Sequence, residues 1–340
     1  MANAATELRT GTLFSSDSHV MESPEMWADH LPASFWPDGG GSFQGQPGGH
    51  DPEARLEEMG QDGVTAEVLY PTLGLKLFGM DDAATQEGAM RAFNDWLINY
   101  CRVDTTRLLG IGTLPCYDIG KAVAELEHCH AGGLGGALVW QAPHPDLPFG
   151  SRHYDSLWKR AEELSMPISL HILTGHNYSK DLGRKGREAY RGSVNLKLAT
   201  VLDSLFEFVF SGALDRFPDL KIVLVENEIG WLPFVLQQWD YYYHRFKKAN
   251  PPEMEHQPSY YFDRQIFATF FRDPMMAHLF DWWGADNCMW SNDYPHPNST
   301  WPNSRNVIAN NLAYLPQEIY DKIVRTTCEK LYGVTIPTSV

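Results

Sequence analysis

The chain contains no run of 18 apolar residues, so nothing in it has the length a membrane-spanning helix requires. Its first ten residues lack the basic-then-apolar order of a secretory signal. Cysteine is scarce: Cys101, Cys116, Cys129, Cys288 and Cys328 lie scattered over 340 residues with no C-x-x-C pair. An odd, dispersed set of thiols excludes a disulfide scaffold and fits reduced cysteines in the cytoplasm. Basic residues are also few, 27 Lys and Arg against 43 Asp and Glu, for a net charge of −16. Such a field repels phosphate backbones and anionic lipid, which excludes nucleic acid and the membrane surface as partners. It also repels an anionic substrate, so an acid could be held only through a local cation. Repeats, low-complexity tracts and linker-like stretches are absent, and the expectation is one domain over 1–340. Glycine clusters only at 36–52, six in seventeen residues, which reads as a long loop.

What the chain does have is apolar material, 43% of residues, distributed in short runs. Eight runs stand out, at 12–16, 65–70, 108–114, 135–140, 167–171, 221–225, 265–270 and 287–291. Most are apolar on both faces, as strands of a fully covered parallel sheet are. Helical patterns fall between them, at 84–103, 119–130, 154–164, 194–213 and 230–248. Strands alternating with helices of this length imply βαβ units, and eight units in a chain of this size predict an α/β fold of the (β/α)8 barrel type. The glycine-rich stretch becomes an insertion after the first strand. A doubly wound open sheet is the competing arrangement, but Asp17-Ser18-His19 is no glycine-rich phosphate turn.

Barrel enzymes place their chemistry at the C-terminal ends of the strands. Here those ends carry Asp17 and His19, then His171, then Glu226 and Asn227, then Asp293. Asp17 and His19 are two apart and share one face of a strand. Any one of these has an ordinary explanation, a helix N-cap for an Asp or a satisfied structural His. Their conjunction at four strand ends does not, and imidazole with carboxylate suits one divalent ion, Zn²⁺ or Mn²⁺.

Several segments are similar to the amidohydrolase superfamily, specifically to its amidohydrolase-related branch that resembles aminocarboxymuconate semialdehyde decarboxylase. They are Ser16-Asp17-Ser18-His19-Val20-Met21-Glu22-Ser23-Pro24, Leu170-His171, Phe217-Pro218-Asp219-Leu220-Lys221, Gly230-Trp231-Leu232-Pro233-Phe234, Ser291-Asn292-Asp293-Tyr294-Pro295-His296-Pro297 and Lys330-Leu331-Tyr332-Gly333. The resemblance implies a TIM-like barrel of the metal-dependent hydrolase type, with the metal held by Asp17, His19, His171 and Asp293. It implies a homodimer as well. Two departures stand out. Many relatives begin with His-x-His or Glu-x-His, and the Asp-x-His here favours Mn²⁺ relative to Zn²⁺. Where many relatives carry a strand-six His, six residues before Pro233, this chain has Asn227, preceded by Glu226. Asn cannot shuttle protons; Glu226 could, or could bind the metal, if the strand end kinks to turn it inward.

Arg272 is the candidate for gripping a carboxylate, and His176, His296 and Trp301 are further candidates for contacting substrate. His128-Cys129-His130 resembles a ligand cluster but lies at a helix end on the wrong side of the barrel, and reads as structural. The basic stretch Arg184, Lys185, Arg187 and Arg191 reads as solvated surface. The aromatics around Trp239 and Tyr242, and those at Trp282, Trp283, Trp290 and Trp301, read as core or subunit interface. The resemblance favours a metal-dependent decarboxylase acting on a small carboxylic acid of aromatic or enol type, with Asp293 as the acid and Glu226 or Asn227 at the strand-six position. Hydrolysis of an amide, ester, lactone or C–C bond by metal-activated water uses the same residues. A barrel that binds its ligand without turning it over is the third reading.

Overall fold

The computed structural model describes residues 9, 11–32, 35, 46–176, 185–280, 284–312 and 314–338. Eight parallel strands pair in chain order, β1 (Phe14–His19), β2 (Ala66–Tyr70), β3 (Leu108–Thr113), β4 (Gly136–Ala142), β5 (Ile168–Gly175), β6 (Ile222–Val225), β7 (Ile266–Phe270) and β8 (Cys288–Trp290). Across the remaining seam, Asp293 N donates to Asp17 O at 3.0 Å and His19 N to Tyr294 O at 2.6 Å. Ser16 Oγ donates to Trp290 O at 2.9 Å in the same seam. The ring is thereby closed by the residues that follow β8, and those residues include the expected site. Tyr70 Oη and Ser169 Oγ lie 3.0 Å apart although β2 and β5 are not neighbours, so their contact crosses the barrel interior.

The strands are buried along nearly their whole length because helices cover their outer face, which is why they read as continuous apolar runs. The helices are α1 (Pro52–Asp62), α2 (Ala83–Cys101), α3 (Ile119–Ala131), α4 (Asp155–Leu164), α5 (Arg187–Lys197), α6 (Ala199–Phe210), α7 (Ala213–Arg216), α8 (Leu232–Phe246) and α9 (Pro258–Gln265), with shorter ones toward the C-terminus. Asp51, Asp82 and Asp118 accept backbone N–H bonds at the starts of α1, α2 and α3, where unpaired donors need them.

The expected barrel and all eight strands are present, with boundaries moved by a residue or two except at β1, which runs on through His19, and β5, which runs on through Gly175. The helix expected at 194–213 is instead α5, α6 and the start of α7. Leu198 leaves the helical region between the first two, and Gly212 takes φ +68° before the third. Positions 36–45 of the expected loop lie outside the described residues. Its described end is an ordered 3-10 turn, Pro47–Gly49, with Gly48 and Gly49 buried. A side chain at Gly48 would collide with Arg55 backbone and the Glu58 carboxylate, so this glycine serves close packing. Among the described residues, no helix is long and apolar enough to cross a membrane.

Candidate metal centre and active site

Asp17, His19 and His171 converge at the C-terminal mouth of the barrel, with Asp293 and His296 beside them, and all but His296 are fully buried. His19 and His171 Nε2 are 3.3 Å apart. Asp17 Oδ1 lies 3.5 Å from the first and 3.6 Å from the second, and Asp293 Oδ1 is 3.5 Å from His19 Nε2. The other ring nitrogens are spoken for: His19 Nδ1 donates to Pro71 O at 2.8 Å and His171 Nδ1 to Ile172 O at 2.7 Å. A carbonyl can only accept, so each Nδ1 carries a proton, and in the neutral ring each Nε2 presents a lone pair. With both rings neutral, His19, His171 and the Asp17 carboxylate meet as acceptors, with no donor among these three. Both Asp17 carboxylate oxygens are buried with no hydrogen-bond partner. A buried carboxylate left without hydrogen bonds costs several kcal/mol, and a cation satisfies it. The donor set, two imidazoles and two carboxylates with their back nitrogens fixed, fits a divalent metal ion.

Electrostatics follow the same logic. Burial, with His296 and His171 nearby, pushes His19 well below the usual imidazole range. Burial also pulls His171 down, but the Asp17 and Glu226 carboxylates more than offset it and its pKa rises. Burial pushes the Asp293 carboxyl up, against the pull of His296.

Strand six decides between Glu226 and Asn227. Glu226 adopts φ +60° at the end of β6, a left-handed conformation rare for a residue with a side chain. The turn swings its carboxylate toward the centre, with Oε2 3.9 Å from His171 Nε2. Lys197, at the end of α5, holds it there by donating to Glu226 O at 2.9 Å while standing 3.6 Å from Oε1. Burial, reinforced by Asp293, raises the Glu226 carboxyl to about 7. Asn227 faces away, donating to Gln141 Oε1 at 2.9 Å and to Val225 O at 2.8 Å. Asp293 shares the left-handed backbone, φ +55°.

The substrate-contact candidates separate. His296 joins the centre: its Nδ1 is 2.9 Å from Asp293 Oδ1 and its ring centroid 3.9 Å from that of His19. His176 stands at the rim after β5, 3.5 Å from Asp81 and against the His144 ring. Arg272 points outward, exposed, with Nη2 donating to Ser299 O, beside a surface cavity it shares with Pro274 and Val307. Trp301 packs edge-on against Tyr294 and donates to Glu58 O, so both groups are engaged away from the ligand cluster. His128 pairs with Asp95 on the surface, and Arg187 and Arg191 pair with Glu188. Arg184, Trp282 and Trp283 lie outside the described residues.

Sequence reasoning assigned no role to the residues that support the site. Arg55 is fully buried, donates to Glu67 Oε2 at 2.5 Å and holds the His19 carbonyl at 2.7 Å. Asn292 ties Ser15, Ser18 and Glu67 together behind the ligands. Glu22 accepts from Thr72, Leu73 and Gly74 backbone N–H groups. The signals that could have found them are the run of polar residues in an otherwise apolar strand, Ser15 to Ser18, and the place of Glu22 and Asn292 in the family-like segments.

A family model described as amidohydrolase matches residues 17–334. The chain is 25% identical over 265 residues to a γ-resorcylate decarboxylase from Polaromonas sp. strain JS666, covering 72% of this chain and 77% of that one. The structure of 5-carboxyvanillate decarboxylase LigW from Sphingomonas paucimobilis superposes with a TM-score of 0.77 at 22% identity, over 95% of this chain and 99% of that one. A dihydroxybenzoic acid decarboxylase from Polaromonas sp. JS666, solved with bound manganese and the inhibitor 2-nitroresorcinol, superposes with a TM-score of 0.73 at 20% identity, over 95% of this chain and 97% of that one.

Proposed function

The chain belongs to the amidohydrolase family, and from that premise we propose that it is a metal-dependent carboxy-lyase that removes CO2 from a small aromatic carboxylic acid. The observation that carries this is the buried ring of acceptors formed by Asp17, His19, His171 and Asp293, with both Asp17 oxygens lacking any other partner. Those four residues would hold one divalent ion, and Mn²⁺, seen in the dihydroxybenzoic acid decarboxylase, fits a set with two carboxylates. When bound, the ion supplies Lewis-acid polarisation of substrate oxygens and the local positive charge that a chain of net charge −16 otherwise lacks.

The protein's own residues do the rest. Asp293, buried and braced by His296, delivers a proton to the ring carbon whose bond to the carboxylate breaks; that bond's electron pair takes the proton and CO2 leaves. Glu226, turned inward at the strand-six position, restores the proton, the task for which Asn227 has no chemistry. The relatives' names, resorcylate and carboxyvanillate decarboxylase, support a hydroxylated benzoate as substrate.

The molecule is one barrel domain acting in the cytoplasm, a compartment suited to its five buried, free thiols. It assembles as a homodimer. An aromatic face built by Phe206, Phe210, Trp239, Tyr242 and Phe246 around a cavity of about 310 Å³ supports this.

The test is to load the protein with Mn²⁺ and incubate it with 2,6-dihydroxybenzoate and 5-carboxyvanillate. CO2 release with solvent deuterium in the product supports the reading. Solvent ¹⁸O in products of an amide, ester or lactone with no CO2 from any acid assigns hydrolysis instead, and metal binding without turnover of either kind leaves a binding barrel.

A further inference from the structure

We infer that Thr72 is a positioning residue for Asp293, acting through His296; the inference rests on the metal-centre reading above. Thr72 Oγ1 lies 3.1 Å from His296 Nε2, and His296 Nδ1 lies 2.9 Å from Asp293 Oδ1. The three residues come from the loops after β2 and β8, more than two hundred residues apart in sequence.

An imidazole anchored at one nitrogen can still swing about its attachment, and one anchored at both cannot. The hydroxyl is the partner that can serve either form of the ring, since it donates to a bare Nε2 or accepts from a protonated one. Fixing the ring matters twice. Its Nδ1 holds one oxygen of Asp293, whose backbone is already in the left-handed region, and its face lies against His19 with centroids 3.9 Å apart. A turn of His296 therefore displaces two of the four residues assigned to the ion.

Thr72 is itself fixed. Its backbone N–H reaches both Glu22 carboxylate oxygens at 3.1 Å, and the same carboxylate takes Leu73 N at 2.9 Å and Gly74 N at 3.1 Å. A Cβ at Gly74 would stand 2.9 Å from Pro71 Cβ and 3.1 Å from Glu22 Oε1, so a glycine here lets the turn pack closely against both. The segments after β1, β2 and β8 are thus joined by one continuous chain: Glu22, Thr72, His296, Asp293. Outer partners of this kind orient metal ligands, and their loss typically costs about 10–100-fold in metal affinity.

The experiment titrates metal-free protein with Mn²⁺ alone and needs no substrate. Thr72→Val keeps the shape and removes the hydroxyl; Thr72→Ser keeps the hydroxyl. Thr72→Val is expected to weaken Mn²⁺ binding by about 10–100-fold with the melting temperature of the metal-free protein unchanged, and Thr72→Ser to restore binding close to wild type. Thr72→Val binding as tightly as wild type, or Thr72→Ser binding as weakly as Thr72→Val, overturns the inference alone. Failure of the wild-type protein to bind Mn²⁺ overturns the metal-centre reading beneath it.

Discussion

Glu226 Oε2 stands 3.9 Å from His171 Nε2, while the adjacent Asn227 turns the other way to hold Gln141. The left-handed backbone at Glu226 makes the exchange, since adjacent residues of a regular strand end point to opposite faces. Glu226→Gln keeps the shape and removes the exchangeable proton. It is expected to lower kcat by about 100-fold or more, as loss of a general acid does. Asn227→Ala is expected to cost far less. Steady-state rates on a decarboxylated acid check both, and an unchanged rate in Glu226→Gln removes Glu226 from the reaction.

His171 and His128 provide a contrast within one residue type. His171→Ala deletes an Nε2 that faces His19 and Asp17, and is expected to leave the purified protein without stoichiometric metal and without turnover. His128→Ala deletes only a surface contact to Asp95, and is expected to retain both. Metal analysis of the two variants side by side decides the matter; equal metal content contradicts the ligand assignment.

Behind the centre, Arg55 is fully buried with its charge matched by Glu67. Removing one partner of such a pair strands the other charge in the interior, so Arg55→Met is expected to cost about 3–5 kcal/mol in denaturant-unfolding free energy. Pairing it with Glu67→Leu, which removes the stranded carboxylate, is expected to recover much of that loss. No recovery in the double variant would mean that the Arg55 bond to the His19 carbonyl, rather than the ion pair, carries the stability.

Glu22 makes stability depend on pH. Burial raises its carboxyl from 4.5 to about 7, outweighing the backbone N–H groups that favour the anion. The folded state then holds the proton more tightly than the unfolded state does. Its contribution is full below pH 4.5 and is lost as pH rises through 7, by up to about 3 kcal/mol. Glu22→Gln has no proton to lose. The stability of wild type relative to Glu22→Gln is therefore expected to fall between pH 4.5 and pH 8, measured by urea unfolding at each pH. A constant difference across that range would show that the carboxyl stays ionised throughout.

Much of this protein was written in its one-dimensional pattern. Eight apolar runs spaced by helical segments predict a covered parallel sheet, and Asp, His, His and Asp at the strand ends point to a divalent cation, which imidazole and carboxylate together suit. The sequence could not say which neighbour faces inward at strand six, because that depends on one backbone dihedral, φ +60° at Glu226, which the surrounding packing imposes. Nor could it say that Arg272 bonds a carbonyl at the surface, or that Trp301 packs on Tyr294, since a side chain's direction is set by elements far away in the chain. Arg55, Glu22 and Thr72 look like surface residues in a list of letters. Only closure of the ring, which brings the segments after β1, β2 and β8 together, buries Arg55 and Glu22, half-buries Thr72 and turns all three into supports for the ligands.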